Sequence, residues 1–165
     1  MGATDPLPKY YDIGMPQTKQ FEGFRGQVYQ DTEGNPTIGY GFNLNDPAMR
    51  SMVPAEVIAG RRTLTPQEAE QIFLVRYEQA AQDAWGYLGE TMNTLDPQRQ
   101  AILVDMAYNL GPNKLAGFKK MREAIIAGDY PRAASEMKDS DWYKQVGNRS
   151  KHHVLKFGGK GESRN

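Results

Sequence analysis

Glu22 is followed nine residues later by Asp31 and six residues after that by Thr37, a set of side chains suited to cleaving an acetal. A glycosidic bond breaks when one protonated carboxyl gives its proton to the leaving oxygen, while a second, ionised carboxyl orients water or attacks the sugar carbon. A threonine hydroxyl beside the second group can hold the water. Spacing alone carries little weight, because a glutamate on a short helix and an aspartate in a turn are ordinary surface groups.

The elements around these residues decide whether they can meet. Pro6, Pro8, Gly14 and Pro16 argue against a regular element before about Met15. A short helix is expected from Thr18 to Gly23, placing Glu22 near its C-terminal end. Gln27–Tyr29 and Thr37–Phe42 read as two strands of a hairpin, joined by a polar tip of turn-forming residues from Asp31 to Pro36. Thr65-Pro66-Gln67-Glu68 forms a capping box that opens a helix of about 20 residues, long enough at 1.5 Å per residue to join two lobes. Asp96-Pro97 opens a second helix, apolar nearly all round from Ala101 to Tyr108 and ended by Gly111-Pro112. Further helices are expected over residues 115–127, 131–138 and 148–157. The fold class is therefore α+β: a lead-in over residues 1–14, one domain over 15–157 and a disordered tail over 158–165. Within the domain, a hairpin lobe (18–62) leads through the long helix (65–85) to a helical lobe (86–157).

Composition excludes several kinds of function. The 165 residues are enough for one real core. Lysine plus arginine (20) balances aspartate plus glutamate (20), so the charge footprint of a nucleic-acid binder is missing. There is no cysteine, and the two histidines, His152 and His153, are adjacent and expected to be exposed, which argues against a metal site and leaves no cofactor implied. No apolar run is long enough for a membrane span, and the N-terminus lacks a signal-peptide pattern.

Three blocks around the carboxylates are more specific: Phe21-Glu22-Gly23-Phe24-Arg25, Tyr29-Gln30-Asp31-Thr32-Glu33-Gly34 and Thr37-Ile38-Gly39-Tyr40-Gly41. Together they resemble the catalytic segment of the phage-type (T4-like) lysozymes, glycoside hydrolase family 24. The resemblance continues through Leu64–Phe73, Leu95–Gly111, Ala116-Gly117-Phe118, Asp141–Gln145 and Asn148–Lys151, so it covers about Lys19 to Phe157.

The resemblance implies that Glu22 is the proton donor, Asp31 the water-orienting carboxylate of an inverting reaction, and Thr37 its helper. It implies that Arg149 supports the catalytic glutamate, that Trp142 is a core residue, and that Tyr108 and Asn109 contact a sugar by stacking and by hydrogen bonding to an N-acetyl group. Phe42, Asn43, Met121 and Glu136 depart from the family pattern at positions implied to contact substrate. The implied partner is bacterial peptidoglycan, cut by a monomeric muramidase between N-acetylmuramic acid and N-acetylglucosamine. A lytic transglycosylase and an inactive wall-binding module are the alternatives. The implied place of action is the cell wall in the periplasm, reached from the host cytoplasm through a separate membrane pore or carried in the virion.

Overall fold

The computed structural model describes residues 6–159. In chain order these form α1 (Lys9–Glu22), β1 (Arg25–Gln30), β2 (Pro36–Gly39), β3 (Phe42–Asn43), α2 (Pro47–Met52), α3 (Ala55–Ile58), α4 (Pro66–Leu88), a 3-10 segment (Gly89–Thr94), α5 (Pro97–Ala116), α6 (Lys119–Ile126), α7 (Tyr130–Lys138), α8 (Asp141–Val146) and α9 (Asn148–Gly158). Two compact units emerge. One comprises residues 17–79, and the other joins residues up to 16 with those from 80 onward. The α+β expectation is met, with the sheet confined to the first unit.

The start of α1 corrects the reading of the N-terminal segment, since the helix begins at Lys9 and runs through Gly14 and Pro16. Burial explains why. Tyr10, Tyr11, Gly14 and Thr18 are buried at helical spacing, while Asp12, Pro16 and Gln20 lie on the exposed face. Pro16 therefore forfeits a hydrogen bond on the solvent side, and the packing of Tyr10 against Trp85, 5.6 Å between ring centroids, outweighs that loss. Residues 1–5 of the expected lead-in and residues 160–165 of the expected tail lie outside the described residues, and Gly158 closes α9.

The sheet of the 17–79 unit is antiparallel in the order β1-β2-β3. Tyr29 lies opposite Thr37, which in turn lies opposite Asn43. The expected strand over residues 37–42 is divided in two, because Gly39 and Gly41 adopt φ of 68° and 75° and turn the chain back on itself. Beneath the sheet Ile38, Phe42, Leu44, Met49, Val57, Leu64, Ile72 and Phe73 are buried. Two short helices, α2 and α3, complete this unit and have too few residues for a clear period, although Asp46 caps α2 by accepting from the Ala48 amide at 2.9 Å.

The capping box on α4 forms as the sequence predicts: Glu68 N–H donates to Thr65 Oγ1 at 3.1 Å, and Thr65 N–H donates to Glu68 Oε1 at 2.9 Å. Arg62 grips the same carboxylate with both terminal nitrogens, 2.9 and 2.8 Å away. That grip, with the Thr65 amide, pulls the Glu68 pKa down to about 2.

In the second unit α5 is capped by Asp96 and broken at Gly111, whose φ of 80° and ψ of 167° are not helical. A helical turn resumes from Pro112, so the expected helix over 115–127 is split at Gly117 and Phe118, and α6 begins at Lys119. α8, absent from the sequence reading, starts on Ser140, whose hydroxyl accepts from the Tyr143 amide.

Candidate active site

Glu22 is the last residue of α1. The helix stops there because Gly23 takes φ of 73° while its amide donates back to the Lys19 carbonyl at 2.9 Å. The Glu22 carboxyl then lies against the backbone of Gly41. A Cβ placed on Gly41 would come within 2.2 Å of Glu22 Oε1 and 3.1 Å of its Cδ. Gly41 is thus a site residue that the sequence points to only as part of a resemblance; the local signal is a second glycine two residues after Gly39 in a strand pattern.

Asp31 sits at the hairpin tip as an acceptor of several hydrogen bonds. Its Oδ1 accepts from the amides of Glu33 (2.9 Å) and Asn35 (2.8 Å), and its Oδ2 accepts from Asn35 Nδ2 (3.2 Å). The bond from the Asn35 amide leads, and together with the others it holds the Asp31 pKa below the ordinary carboxylate value against the opposing effect of burial. Asp31 is therefore both turn former and persistent anion.

Thr37 is 3% exposed, and its hydroxyl donates to the Asn35 carbonyl at 2.8 Å. With its proton so committed, Oγ1 can enter a further hydrogen bond only as an acceptor. Cross-strand pairing puts Thr37 on the same face as Tyr29 and Asn43, and alternation along β1 carries that face on to Asp31.

Tyr29 feels the charge of both carboxylates. Burial pushes its phenol pKa up, and the negative charges of Glu22 and Asp31 both push it further, against the guanidinium of Arg25. Arg25 stacks over the ring at 4.3 Å. Glu22, Asp31 and Thr37 thus belong to one unit, in which Thr37 lies across from Tyr29 and the charges of both carboxylates bear on its phenol.

The remaining expected site residues lie in the other unit. Arg149, at the start of α9, is 7% exposed; its Nε and one terminal nitrogen donate to the two oxygens of Asp105 at 2.7 and 2.8 Å. Asp105 is fully buried in α5. Burial alone would raise its pKa, but the charge of Arg149, then that of His153, reverses the sign and leaves it well below the usual range. His153 corrects the expectation of exposure: it is 0% exposed, with Nε2 2.6 Å from Asp105 Oδ2 and its ring stacked on Trp142. Its partner His152 is half-buried, 3.0 Å away between Nδ1 atoms. The helix period turns position 153 toward α5, where a buried carboxylate satisfies the ring.

Trp142 is buried as expected, and its indole N–H donates to Asn109 Oδ1 at 2.7 Å. Asn109 is exposed and thereby fixed in orientation. Tyr108 is only 5% exposed, so its ring has little face left to stack on a sugar. Met121 is buried, whereas Asn43 is exposed. Among the described residues no cluster of histidine, aspartate or glutamate could hold a metal ion, and no helix is long and apolar enough to cross a membrane.

A small antiparallel sheet with Asp31 at its hairpin tip, preceded by a helix that ends on Glu22 and followed by a long helix and a helical region, defines a lysozyme-like α+β protein. The sequence model of the Phage lysozyme family matches residues 19–156, and the chain belongs to that family. It is 31% identical over 141 residues to the pre-baseplate central spike protein Gp5 of Enterobacteria phage T4, covering 78% of this chain but 24% of the length of Gp5. It is 28% identical to the probable T4-type lysozyme 2 of Dictyostelium discoideum, covering 84% of this chain and 89% of that protein. The peptidoglycan hydrolase gp36 of Pseudomonas phage phiKMV is 26% identical over 84% of this chain and 14% of its own length.

Proposed function

We propose that this protein is an endo-acting muramidase that hydrolyses the β-1,4 bond between N-acetylmuramic acid and N-acetylglucosamine in peptidoglycan, with inversion. The observation that carries the reading is the seat of the Glu22 carboxyl against Gly41, beside a phenol that also feels Asp31. Membership of the phage lysozyme family and the likeness to a peptidoglycan hydrolase support the same substrate. The likeness to a baseplate spike protein supports a setting in the phage particle.

In this mechanism Glu22 gives its proton to the glycosidic oxygen as the bond to the anomeric carbon breaks. Water gives one hydrogen to Asp31, which is kept ionised by its hydrogen bonds, and points the other at Thr37 Oγ1, which can only accept it. Its lone pair is then directed at the anomeric carbon from the face opposite the leaving group, which is inversion. Arg149, anchored by Asp105, is part of the same proposal as a supporting residue, and Asn109 as a contact for a sugar amide. The protein acts as a monomer and needs no cofactor.

The test is product analysis on purified peptidoglycan with wild type and Glu22→Gln side by side. Wild type should yield reducing muramic acid ends, and Glu22→Gln should lower turnover by about 100- to 10,000-fold while still binding the wall. Anhydro-muramic ends as the main product would make it a transglycosylase instead, and full activity in the variant would remove Glu22 from the mechanism.

A further inference from the structure

Asp31 is held at one end of a chain of side-chain amides. Asn45 N–H donates to Asn43 Oδ1 at 2.9 Å, Asn45 Nδ2 donates to Asn35 Oδ1 at 3.1 Å, and Asn35 Nδ2 donates to Asp31 Oδ2 at 3.2 Å. The direction of the side-chain bonds is fixed from the Asp31 end, because an ionised carboxylate only accepts and so requires the nitrogen of Asn35, which leaves the oxygen of Asn35 to accept from Asn45. Asn35 also contributes its own amide to Asp31 Oδ1 and its carbonyl to the Thr37 hydroxyl. One residue therefore touches both members of the water-holding pair.

Resting on the muramidase reading above, we propose that Asn35 is a positioning residue for the reaction, oriented by Asn45, and that it sets the acid limit of activity by holding Asp31 ionised and aimed. Each amide hydrogen that a carboxylate accepts favours its ionised form, so losing one donor raises its pKa. Removing the Asn35 side chain deletes one bond and keeps the backbone ones. Of the titratable groups in this unit, Tyr29 on β1 feels Asp31, Glu22 and Arg25, and Glu33 follows Asp31 in the tip. All of these are unchanged in the variants below.

The experiment measures kcat/KM against pH on purified peptidoglycan, and the Asp31 carboxyl titration by carbon NMR, for wild type, Asn35→Ala, Asn35→Asp and Asn45→Ala. Asn35→Ala should move the acid limb and the Asp31 titration upward together. Asn45→Ala should move both in the same direction by less. Asn35→Asp, nearly isosteric, sets a second carboxylate beside Asp31 and should give the largest rise. A purely structural role for Asn35 would lower activity evenly at all pH values. An unmoved Asp31 titration in Asn35→Ala and Asn35→Asp would overturn the inference. The NMR titration judges Asn35 whatever the reaction proves to be, whereas undiminished activity in Asp31→Ala would sink the muramidase mechanism and leave that titration standing.

Discussion

Gly41→Ala tests the seat of the proposed acid, Glu22, directly. The added methyl would lie 2.2 Å from Glu22 Oε1, about 1 Å inside ordinary contact, so the carboxyl must move by roughly that amount. A misplacement of about 1 Å at a reacting group costs about a hundredfold in rate. The substitution also carries a backbone penalty, because φ at Gly41 is 75°, where an L side chain costs about 1–2 kcal/mol. In a domain of this size that lowers Tm by about 2–8 °C. Gly60→Ala separates the two effects. Gly60 has φ of 79°, and a methyl added there would meet nothing within 4 Å, so the control should lose comparable stability and keep its activity. The assay is kcat on purified peptidoglycan with Tm measured in parallel. If Gly41→Ala turns over within twofold of Gly60→Ala, the acid does not depend on this seat and the reasoning fails.

Asp105→Ala should destabilise by about 3–5 kcal/mol in a denaturant titration, because it removes the buried carboxylate that Arg149 and His153 share. Since the folded pKa of Asp105 is depressed, its contribution is fully present above the ordinary value of 3.8 and is lost as pH falls through the folded value; Asp105→Asn should flatten that acid loss in a series of Tm against pH. Thr65→Ala removes the α4 cap and should cost about 1 kcal/mol, read as a fall in Tm. Gly86→Ala, inside α4 with open space around its side-chain position, should stabilise by about 0.5–1 kcal/mol. With lysine plus arginine equal to aspartate plus glutamate, lysis should decline only modestly with salt, and a steep loss between low and physiological ionic strength would contradict this.

Local signals carried the sequence reading where the element is self-contained. The Thr65–Glu68 capping box, the Asp96-Pro97 start and the break at Gly111 are each specified within a few residues, and all are present. The hairpin tip was legible for the same reason, since Asp31 makes its bonds to residues two to four positions away. Tertiary burial was not legible. Nothing local says that Tyr10 would pack on Trp85 and hold a helix through Pro16, or that His153 would turn inward to a carboxylate 48 positions earlier in the chain. The individual parts of Gly41 and Tyr29 were not legible, although both stand in the matched segments, because they depend on the placement of Glu22 in one case and on the charge of both carboxylates in the other.

The bend between β2 and β3 serves two masters. A methyl at Gly39 would strike the ring of Phe42, at 2.4 Å, just as one at Gly41 would strike Glu22. Phe42 is buried in the interior of this unit while Glu22 is the proposed acid, so two glycines of one corner hold a core side chain on one hand and the proposed reactive group on the other. Efforts to toughen the protein by filling glycines must therefore bypass this corner and work on distant helices, where sturdiness can be raised without touching turnover.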